Sequence, residues 1–433
     1  MTLDNPTIII ADDLTGANDC ALQYFSSNCT VRIAVSLEQD FTKAQDVDVW
    51  SISTESRNID KKQAFQRVFE VCNTLKDNLN IDNFYKKIDS TLRGNTGLEI
   101  LAVLEAIGYD AAIVAPAYIE EGRSTIGAYQ LVHGTILERT QCALDPKAPI
   151  NLSYIPDIIK KDFSEDMYDI VATIGFNVVS KGAAPIVLKI QDLIQKGKKI
   201  IVLDALSTVD LEQIALAVIK CSKKILPVGS AGLASAINKI KHKDKIINTL
   251  EHISNLPKFI VSGTATLLGA NQIKKLKDEK PKAHFIDLTI KDCINEVQQN
   301  LISQIVENLN KGTDVILHTS NINSELQNEE SENILIDAGV AKSELASKIT
   351  GYLADVVGIV NKQTNFILIT VGGETSYACT NEINSKYLQI LDAIMPAIPL
   401  CIDSNNKIIV TKSGNFGTNS TLVDILNYFD RRK

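Results

Sequence analysis

The amino-acid sequence predicts an α/β protein built from two α/β domains with mainly parallel sheets. Along its 433 residues, short β-branched runs alternate with longer segments of helical period, which is the pattern of layered strands and helices. Several runs, such as AAIVAP at 111–116 and FILITV at 366–371, are apolar on both faces, as parallel strands covered by helices require. The chain is also too long for one ordinary core, so two or three domains are expected.

The strands are predicted from β-branched and apolar runs. They are placed at 7–11, 30–35, 47–53, 83–88, 111–115, 169–174, 199–204, 225–228, 258–262, 283–287, 314–318, 366–371 and 407–411. The clearest helix is predicted at 341–360, where Leu345, Ile349, Leu353 and Val356 recur on one stripe.

A charged stretch at 241–257 is predicted to link two domains. It contains no strand pattern and ends in Pro257, directly before a new strand. We therefore expect one domain at 1–240 and a second at 258–433. Residues 321–333 are predicted to form a polar surface loop that leads into a helix.

Composition argues against several classes of protein. A net charge of −8, with 45% hydrophobic and 22% charged residues, is typical of a soluble globular protein and argues against nonspecific nucleic-acid binding. No apolar run approaches the roughly 18 residues of a membrane span, and the N-terminal stretch lacks the basic region of a signal peptide. Eight scattered cysteines without a C-x-x-C pair predict reduced thiols in a cytoplasmic protein. The isolated histidines predict no protein-only zinc site.

The first strand ends in two adjacent acids, Asp12 and Asp13, within IIIADDLTGANDC at 8–20. One acid can cap the following helix by accepting backbone N–H bonds. The other then lies at the carboxyl end of a strand, where open α/β sheets hold their ligands. The pair is therefore a candidate for chemistry as well as for capping.

A second polar segment, FYKKIDSTLRGNTG at 84–97, follows another strand. Alternation puts Lys87 and Asp89 on the same face of that strand. The strand is expected to end at Ile88, and the loop after it contains Asp89, Ser90, Thr91, Arg93, Gly94 and Asn95. This mixture suits a small ligand that carries both a carboxylate and hydroxyls. The alternative is a salt-bridged turn in which Ser90 or Asn95 caps the next helix.

A third segment, WSISTESRN at 50–58, runs from a strand into Glu55, Ser56 and Arg57. The planar fork of Arg57 matches a carboxylate bidentately. The alternative is a solvated surface charge.

Three loops rich in small residues follow strands in the C-terminal half: FIVSGTAT at 259–266, LITVGGETS at 368–376 and IIVTKSGNFG at 408–417. Glycines let backbone N–H groups approach a ligand, and helix N-termini favour anions. None of the loops matches a Walker or G-x-G-x-x-G motif. Together they predict a phosphate-binding cradle, in which Gly373 leaves space for a phosphate and supplies a positive φ.

One domain would thus bind a polyhydroxy acid and the other a polyphosphate. A small-molecule kinase must bring two such ligands together, since phosphoryl transfer depends on positioning and charge neutralisation. We therefore expect an active-site cleft between the two domains.

Six motifs together resemble the four-carbon acid sugar kinase family, formerly a domain of unknown function. They cover essentially the whole chain in the right order: ADDLTGA (11–17), KKIDSTLRGNTG (86–97), PVGSAGLA (227–234), VSGTAT (261–266), VGGETS (371–376) and KSGNFG (412–417). The resemblance implies an N-terminal substrate domain and a C-terminal nucleotide domain. It also implies ATP-dependent phosphorylation of the terminal C4 hydroxyl of D-threonate, L-threonate, D-erythronate or 3-oxo-tetronate.

The resemblance also implies a set of site residues. Those for the sugar acid are Asp12, Asp13, Arg57, Lys87, Ile88, Asp89 and Ser90, to which the loop composition adds Arg93. Those for ATP are Ser262, Gly372, Gly373, Glu374, Thr375 and Gly414. Mg²⁺ would bridge the phosphates, as an ion that keeps few protein ligands.

Asp12 is expected to accept the hydroxyl proton, because it lies at the more rigid strand end, whereas Asp13 is expected to cap the helix. The rival hypothesis is a non-catalytic sensor of a sugar acid and a nucleotide. A lyase or aldolase would need a Schiff-base lysine or a metal cluster, and Lys87 is the one candidate for it. The expected partners are a small-molecule sugar acid and ATP, with a homo-oligomer allowed and neither nucleic acid nor membrane expected.

Overall fold

The chain divides into two compact units in the computed structural model. The first comprises Met1–Ala34 with Gln39–Ile247, and the second comprises Val35–Glu38 with Asn248–Lys433. The structure describes residues 6–25, 29–35, 41, 47–79, 83–144, 149–241, 255–264, 266–326 and 329–431. Each unit is α/β, as predicted. Most of the predicted linker at 241–257 lies outside the described residues, so that domain boundary stays a prediction.

The first unit alternates strands and helices along the chain. Its strands are β1 (Thr7–Ala11), β2 (Val31–Ala34), β3 (Val49–Ser53), β4 (Phe84–Lys87), β5 (Ala111–Ala115), β6 (Arg123–Ile126), β7 (Tyr129–Val132), β8 (Thr135–Ile136), β9 (Val171–Ile174), β10 (Ile200–Leu203) and β11 (Ile225–Gly229). Its α-helices are α1 (Leu14–Phe25), α2 (Lys61–Leu79), α3 (Thr96–Ile107), α4 (Ile155–Lys160), α5 (Phe176–Val179), α6 (Ala183–Gln195), α7 (Thr208–Lys220) and α8 (Ala231–Lys241). Short 3₁₀-helices span Ile119–Glu121, Leu137–Arg139, Gln141–Leu144 and Glu165–Ile170.

The large sheet of the first unit is parallel, in the order β2-β3-β1-β4-β11-β5-β10-β9. β1 lies between β3 and β4, so Ala11 pairs with Ser53 on one side and with Lys87 on the other. Parallel strands end at the same edge of a sheet, so the loops after these three strands emerge side by side. The sheet therefore gathers the three segments that were predicted to bind a sugar acid.

A buried ion pair fixes α3 to this sheet. Lys86 in β4 is fully buried, and its Nζ lies 2.7 Å from Oε2 of Glu99 in α3. The same ammonium donates to Lys87 O at 2.9 Å and to Ile10 O at 3.3 Å. A charge this deeply buried is tolerated because it is both paired and hydrogen-bonded. The pair holds the start of α3 behind the loop that follows β4.

The second unit contains the strands β12 (Lys258–Ser262), β13 (His284–Asp287), β14 (Val315–His318), β15 (Ile367–Val371), β16 (Tyr387–Met395), β17 (Ile398–Asp403) and β18 (Ile408–Lys412). Its helices are α9 (Leu267–Glu279), α10 (Ile290–Cys293), α11 (Gln299–Asn310), α12 (Ile322–Glu325), α13 (Glu329–Asp337), α14 (Leu345–Asn361), α15 (Gly373–Glu382) and α16 (Thr421–Asp430). The predicted helix at 341–360 corresponds to α14.

The sheet of the second unit has the order β13-β14-β12-β15-β18-β17-β16. The strands from β13 to β18 in that order are parallel, and β17 and β16 continue the sheet with antiparallel pairings. Buried side chains of α9 and α16, such as Ile273 and Leu426, pack with those of the sheet. In register, Ser262 lies beside Val371 and Val371 lies beside Lys412. The three glycine-containing loops therefore start from neighbouring strand ends.

Two features of the fold depart from the prediction. The antiparallel strands β6–β8, β16 and β17 were missed. β16 alternates buried and half-buried positions, whereas the prediction relied largely on runs that are apolar on both faces. The polar loop predicted at 321–333 is wrong, because α12 and α13 occupy most of it and α13 is anchored by the buried Leu335.

None of the helices in the described ranges is long and apolar enough to cross a membrane.

Lys86→Met is expected to lower the free energy of unfolding of the first unit by about 3–5 kcal/mol, because Glu99 is left buried without a counter-charge. The single tryptophan, Trp50, is buried in β3, so its fluorescence during urea unfolding reports on this unit. The matched double variant Lys86→Met/Glu99→Leu should recover most of the loss. A loss below about 1 kcal/mol in the single variant would contradict this role.

Candidate active site

One guanidinium binds both acids at the end of β1. Arg57 Nε and Nη2 donate to Asp12 Oδ2 at 2.7 Å and Oδ1 at 2.9 Å. Nη1 and Nη2 donate to Asp13 Oδ2 at 2.6 Å and Oδ1 at 2.9 Å. These bonds use four of the five N–H donors of a guanidinium. The cation therefore keeps two adjacent carboxylates together that would otherwise repel each other.

Backbone hydrogen bonds bring Arg57 to this position. Thr54 N donates to Ala11 O at 2.9 Å, and the N–H groups of Ser56 and Arg57 donate to Asp12 O at 3.0 and 3.2 Å. Asn95, in the loop that follows β4, donates from Nδ2 to Ser56 O at 2.9 Å. Because the loop after β3 is hydrogen-bonded on both sides, the position of its arginine is fixed.

Asp13 caps α1, as predicted. Its Oδ1 accepts from Gly16 N at 2.7 Å, and its carbonyl accepts from Ala17 N at 3.0 Å. A side-chain oxygen that accepts from the third helical N–H is the usual arrangement of an N-cap. Asp12 is left as the more deeply buried acid, at 3% exposure.

Asp12 is held in its ionised form. Burial by itself disfavours that form, but Arg57, with Lys86 and Lys87, outweighs burial and keeps the pKa of Asp12 below its usual value. A carboxylate with a lowered pKa is a weak base. It is better suited to accept a hydrogen bond and to orient a hydroxyl than to hold a proton at rest.

Glu55 is a member of this cluster that the sequence did not reveal. Its Oε1 accepts from Leu14 N at 3.0 Å and from Ser53 Oγ at 2.5 Å. The residue has a φ of 47°, which is uncommon for a residue with a Cβ. Burial raises the pKa of Glu55 to about 7, and the charge of Asp13 adds to the shift. Its partner on α1 is 41 residues away, so no local pattern could have predicted this contact.

The loop after β4 contains the salt bridge of the alternative that the sequence left open, but Asn95 at the start of α3 makes no side-chain cap hydrogen bond. The binding of a ligand by this loop stays a prediction. Arg93 Nε donates to Asp89 Oδ2 at 2.6 Å, and Thr91 Oγ1 donates to the same oxygen at 2.5 Å. Burial opposes ionisation of Asp89, but Arg93 and Arg57 hold its pKa well below the usual range. Ser90 is half-buried and its carbonyl accepts from Gln130 Nε2. Ile88, one residue earlier in the chain than Asp89, is buried.

Lys87 lies beside the acid pair. It is 4% exposed and donates to Ile88 O at 3.0 Å. A Cβ on Gly16 would lie 2.7 Å from Asp13 Oδ1, 3.2 Å from Lys87 Nζ and 3.7 Å from Asp12 Oδ1. The glycine therefore allows the ammonium and the two carboxylates to lie close together at the start of α1.

The three glycine-containing loops of the second unit touch each other. A Cβ on Gly263 would overlap Thr375 Oγ1, and a Cβ on Gly414 would lie 2.5 Å from Thr264 Oγ1. The convergence explains why small residues recur in these loops, since a larger side chain would force them apart.

The positive φ in the second of these loops belongs to Gly372, not to Gly373 as we expected. Gly372 has a φ of 113° and caps α15, and Gly373 is the first residue of that helix. Glu374 is exposed in the first helical turn, and Thr375 is buried. The first N–H groups of α15 have no partner within the helix and form an anion-binding end.

A polar pocket of about 330 Å³ lies at the ends of β13 and β14, beside α9. His318 Nδ1 is 3.2 Å from Asp287 Oδ1 and 3.0 Å from Ser320 Oγ. The acid and the hydroxyl thus meet the same ring nitrogen. A hydrolytic triad needs them on opposite nitrogens, so this trio is not one.

The two halves of the chain match two domain families. Residues 7–237 match the model of a sugar-binding N-terminal domain, and residues 259–422 match that of a nucleotide-binding C-terminal domain. The chain belongs to the four-carbon acid sugar kinase family. The family that the six motifs predicted is thereby confirmed.

Among relatives within this family, the chain is 29% identical to a D-threonate kinase of Salmonella typhimurium, over 98% of each chain. It is 26% identical to a D-erythronate kinase of Heliobacterium modesticaldum, over 97% of this chain and 96% of the relative. A solved structure of a Haemophilus influenzae protein has the same fold, with a TM-score of 0.71, 23% identity and coverage of 98% of this chain and 100% of that one.

Arg57→Lys is expected to destabilise the first unit by about 2–4 kcal/mol, because one ammonium cannot bind both carboxylates in the fork geometry. Urea unfolding followed by Trp50 fluorescence measures the change. The control is Arg67→Lys, since Arg67 donates to two carbonyl oxygens and is exposed. Equal losses in the two variants would mean that the acid pair does not depend on the guanidinium.

Proposed function

We propose that this chain is an ATP-dependent sugar-acid kinase that phosphorylates the C4 hydroxyl of a four-carbon sugar acid. The candidate substrates are D-threonate, D-erythronate, L-threonate and 3-oxo-tetronate. The observation that carries the proposal is the buried cluster at the end of β1, where the ionised Asp12 and the Lys87 ammonium lie close to the same glycine, Gly16. One group suits a hydroxyl and the other suits a carboxylate.

In the proposed complex, Lys87 binds the carboxylate of the sugar acid. Arg57 is already occupied by the acid pair, so its proposed role is to orient Asp12 and to add positive charge beside the substrate. The loop after β4 would supply the remaining contacts: Ile88, Asp89, Ser90 and Arg93. Asp89 and Arg93 neutralise each other, so this loop can approach an anionic substrate without a net repulsive charge.

The proposed reaction is an in-line transfer. The C4 oxygen forms a bond to the γ-phosphorus of ATP, and the bond from that phosphorus to the β,γ-bridging oxygen breaks. The electron pair leaves with ADP, and the hydroxyl proton passes to Asp12. Asp13 would act through α1, because its side chain is committed to the cap.

ATP is proposed to bind the second unit through Ser262, Gly414 and the segment Gly372–Thr375. The first N–H groups of α15 and the backbone of the two other loops suit phosphate oxygens. The described residues contain no group of three or more His, Cys, Asp or Glu that could hold a metal ion. Mg²⁺ is proposed to be held mainly by the phosphates, with the exposed Glu374 as a carboxylate on the same loop.

The experiment that tests the function is an ADP-release assay with a panel of the four sugar acids. We expect ATP turnover that depends on one or more of them and that yields the 4-phosphate. ATP binding and sugar-acid binding without turnover on any member would favour the rival hypothesis of a non-catalytic sensor.

Asp12→Asn is expected to reduce kcat by about 10²–10⁴-fold while ATP affinity is kept, because the amide cannot accept the proton. The steady-state assay gives kcat, and calorimetric titration gives the ATP affinity. The control is Asp77→Asn, since Asp77 is exposed on α2. Near-normal turnover in Asp12→Asn, with Asp13→Asn inactive, would assign the role to Asp13. Near-normal turnover in both would remove the acid pair from the mechanism.

Gly373→Val is expected to abolish measurable ATP binding and to leave sugar-acid binding intact, because a branched side chain would fill the space in front of the first turn of α15. Calorimetric titration of each ligand measures both effects, after circular dichroism has shown that the variant is folded. Gly351→Val is the control, because a Cβ at this exposed position of α14 meets nothing within 4 Å. Normal ATP affinity in a folded Gly373→Val variant would contradict the cradle.

A further inference from the structure

The strand β18 ends in a buried lysine that has no acid partner in the part of the chain that the structure describes. Lys412 is 0% exposed, and its Nζ donates to Ser413 O at 2.6 Å. Among the described residues no carboxylate pairs with this ammonium, and burial alone accounts for the shift in its pKa. The sequence interpretation placed KSGNFG in the phosphate cradle but gave its lysine no role.

A buried, unpaired ammonium is costly, because its charge has lost the solvation of water without gaining a counter-charge. The same chain shows how a structural lysine is accommodated. Lys86 is equally buried, but it meets Glu99 at 2.7 Å and two carbonyl oxygens. Within the described ranges, Lys412 has one carbonyl oxygen as its partner, so two of its three N–H donors have no acceptor there.

Lys412 lies where the glycine-containing loops converge. Its carbonyl accepts from Gly372 N at 2.8 Å, which ties it to the positive-φ residue before α15. Ser413 and Gly414 follow it directly, and Gly414 packs against Thr264 of the loop after β12. The strand end that carries Lys412 therefore belongs to the cluster of glycine-containing loops, and its ammonium lies at the first residue of one of them, Ser413. Backbone N–H groups of such loops are favourable to an anion.

We propose that Lys412 supplies the counter-charge for the phosphate groups of the bound nucleotide, and that its ammonium lacks an acid partner because the phosphate is its partner. This inference rests on the proposed ATP-dependent function. A carboxylate at this position would compete with the phosphate, so its absence is what a phosphate site requires. A backbone donor alone cannot replace the charge, because phosphoryl transfer needs the negative charge of ATP to be neutralised.

A structural role makes the opposite prediction. If Lys412 serves only to hold the Ser413 carbonyl, its removal should weaken the second unit and leave nucleotide affinity unchanged. If it binds the nucleotide phosphates, its removal should leave the ligand-free protein at least as stable and should reduce the affinity for the nucleotide.

The test compares Lys412→Met with Lys86→Met in the full chain. For Lys412→Met we expect an unchanged or higher melting temperature without ligand, and an ATP affinity at least about 100-fold weaker by calorimetric titration. Lys86→Met should melt at a lower temperature and keep its ATP affinity. The proposal would be overturned if Lys412→Met melted at a lower temperature or failed to fold, and the wild type also took up no protons on binding ATP. An affinity for ATP within about threefold of the wild type would overturn it as well.

Proton uptake is a second readout that a structural role would not change. Burial lowers the pKa of Lys412 to about 8, with no charged neighbour contributing, so about half of this group is neutral at pH 8 in the free protein. A phosphate beside it would raise that pKa. Titration of Mg-ATP at pH 8 in buffers of different ionisation enthalpy should then show an uptake of about 0.5 proton, which Lys412→Met abolishes.

The outcomes separate this inference from the function on which it rests. A wild type that binds no ATP would overturn both. A wild type that binds ATP and phosphorylates a sugar acid, together with a Lys412→Met variant of equal ATP affinity, would overturn the role of Lys412 alone.

Discussion

The site of the first unit depends on one guanidinium that is shared by two adjacent carboxylates. Two adjacent carboxylates at the end of a buried strand repel each other unless a cation lies between them. Arg57 provides it with four hydrogen bonds, and the backbone bonds of its loop to Ala11 and Asp12 fix where it can reach. The same interaction holds three strand ends in place, since the loop of Arg57 is also bound by Asn95.

Asp12 and Asp13 share the guanidinium of Arg57 but have different roles. Asp13 is used for the cap of α1, whereas the carboxylate of Asp12 lies near Gly16 and takes no part in the cap. Glu55 supports this division, because it accepts from Leu14 N, another N–H group at the start of α1. The helix is thus held by two acids from two strands. A ligand that binds beside Asp12 therefore meets a carboxylate whose position is fixed before it arrives.

Lys86 and Lys412 are both buried, but the groups around their ammonium ions differ. Lys86 is paired inside the first unit, where it fastens α3 to the sheet. Lys412 ends β18 beside loops of small residues, and its buried ammonium donates to one carbonyl oxygen, that of Ser413. A buried charge without a counter-charge lowers the stability of the folded protein. Such a charge is expected where a ligand supplies the partner.

The sequence by itself determined the α/β class, the family, the strand ends at which polar residues gather and the cap formed by Asp13. These depend on local signals: two-sided apolar runs, glycine turns and an acid before a helix. Only the tertiary structure decided that Arg57 binds the acid pair, that Arg93 pairs with Asp89 and that Glu55 contacts α1. It also decided that Lys412 is buried with no acid partner among the residues that the structure describes. The cleft expected between the domains and the exact linker stay predictions. The physical reason is distance along the chain: Arg57 and Asp12 are 45 residues apart, so their contact exists only because parallel pairing aligns β1 with β3.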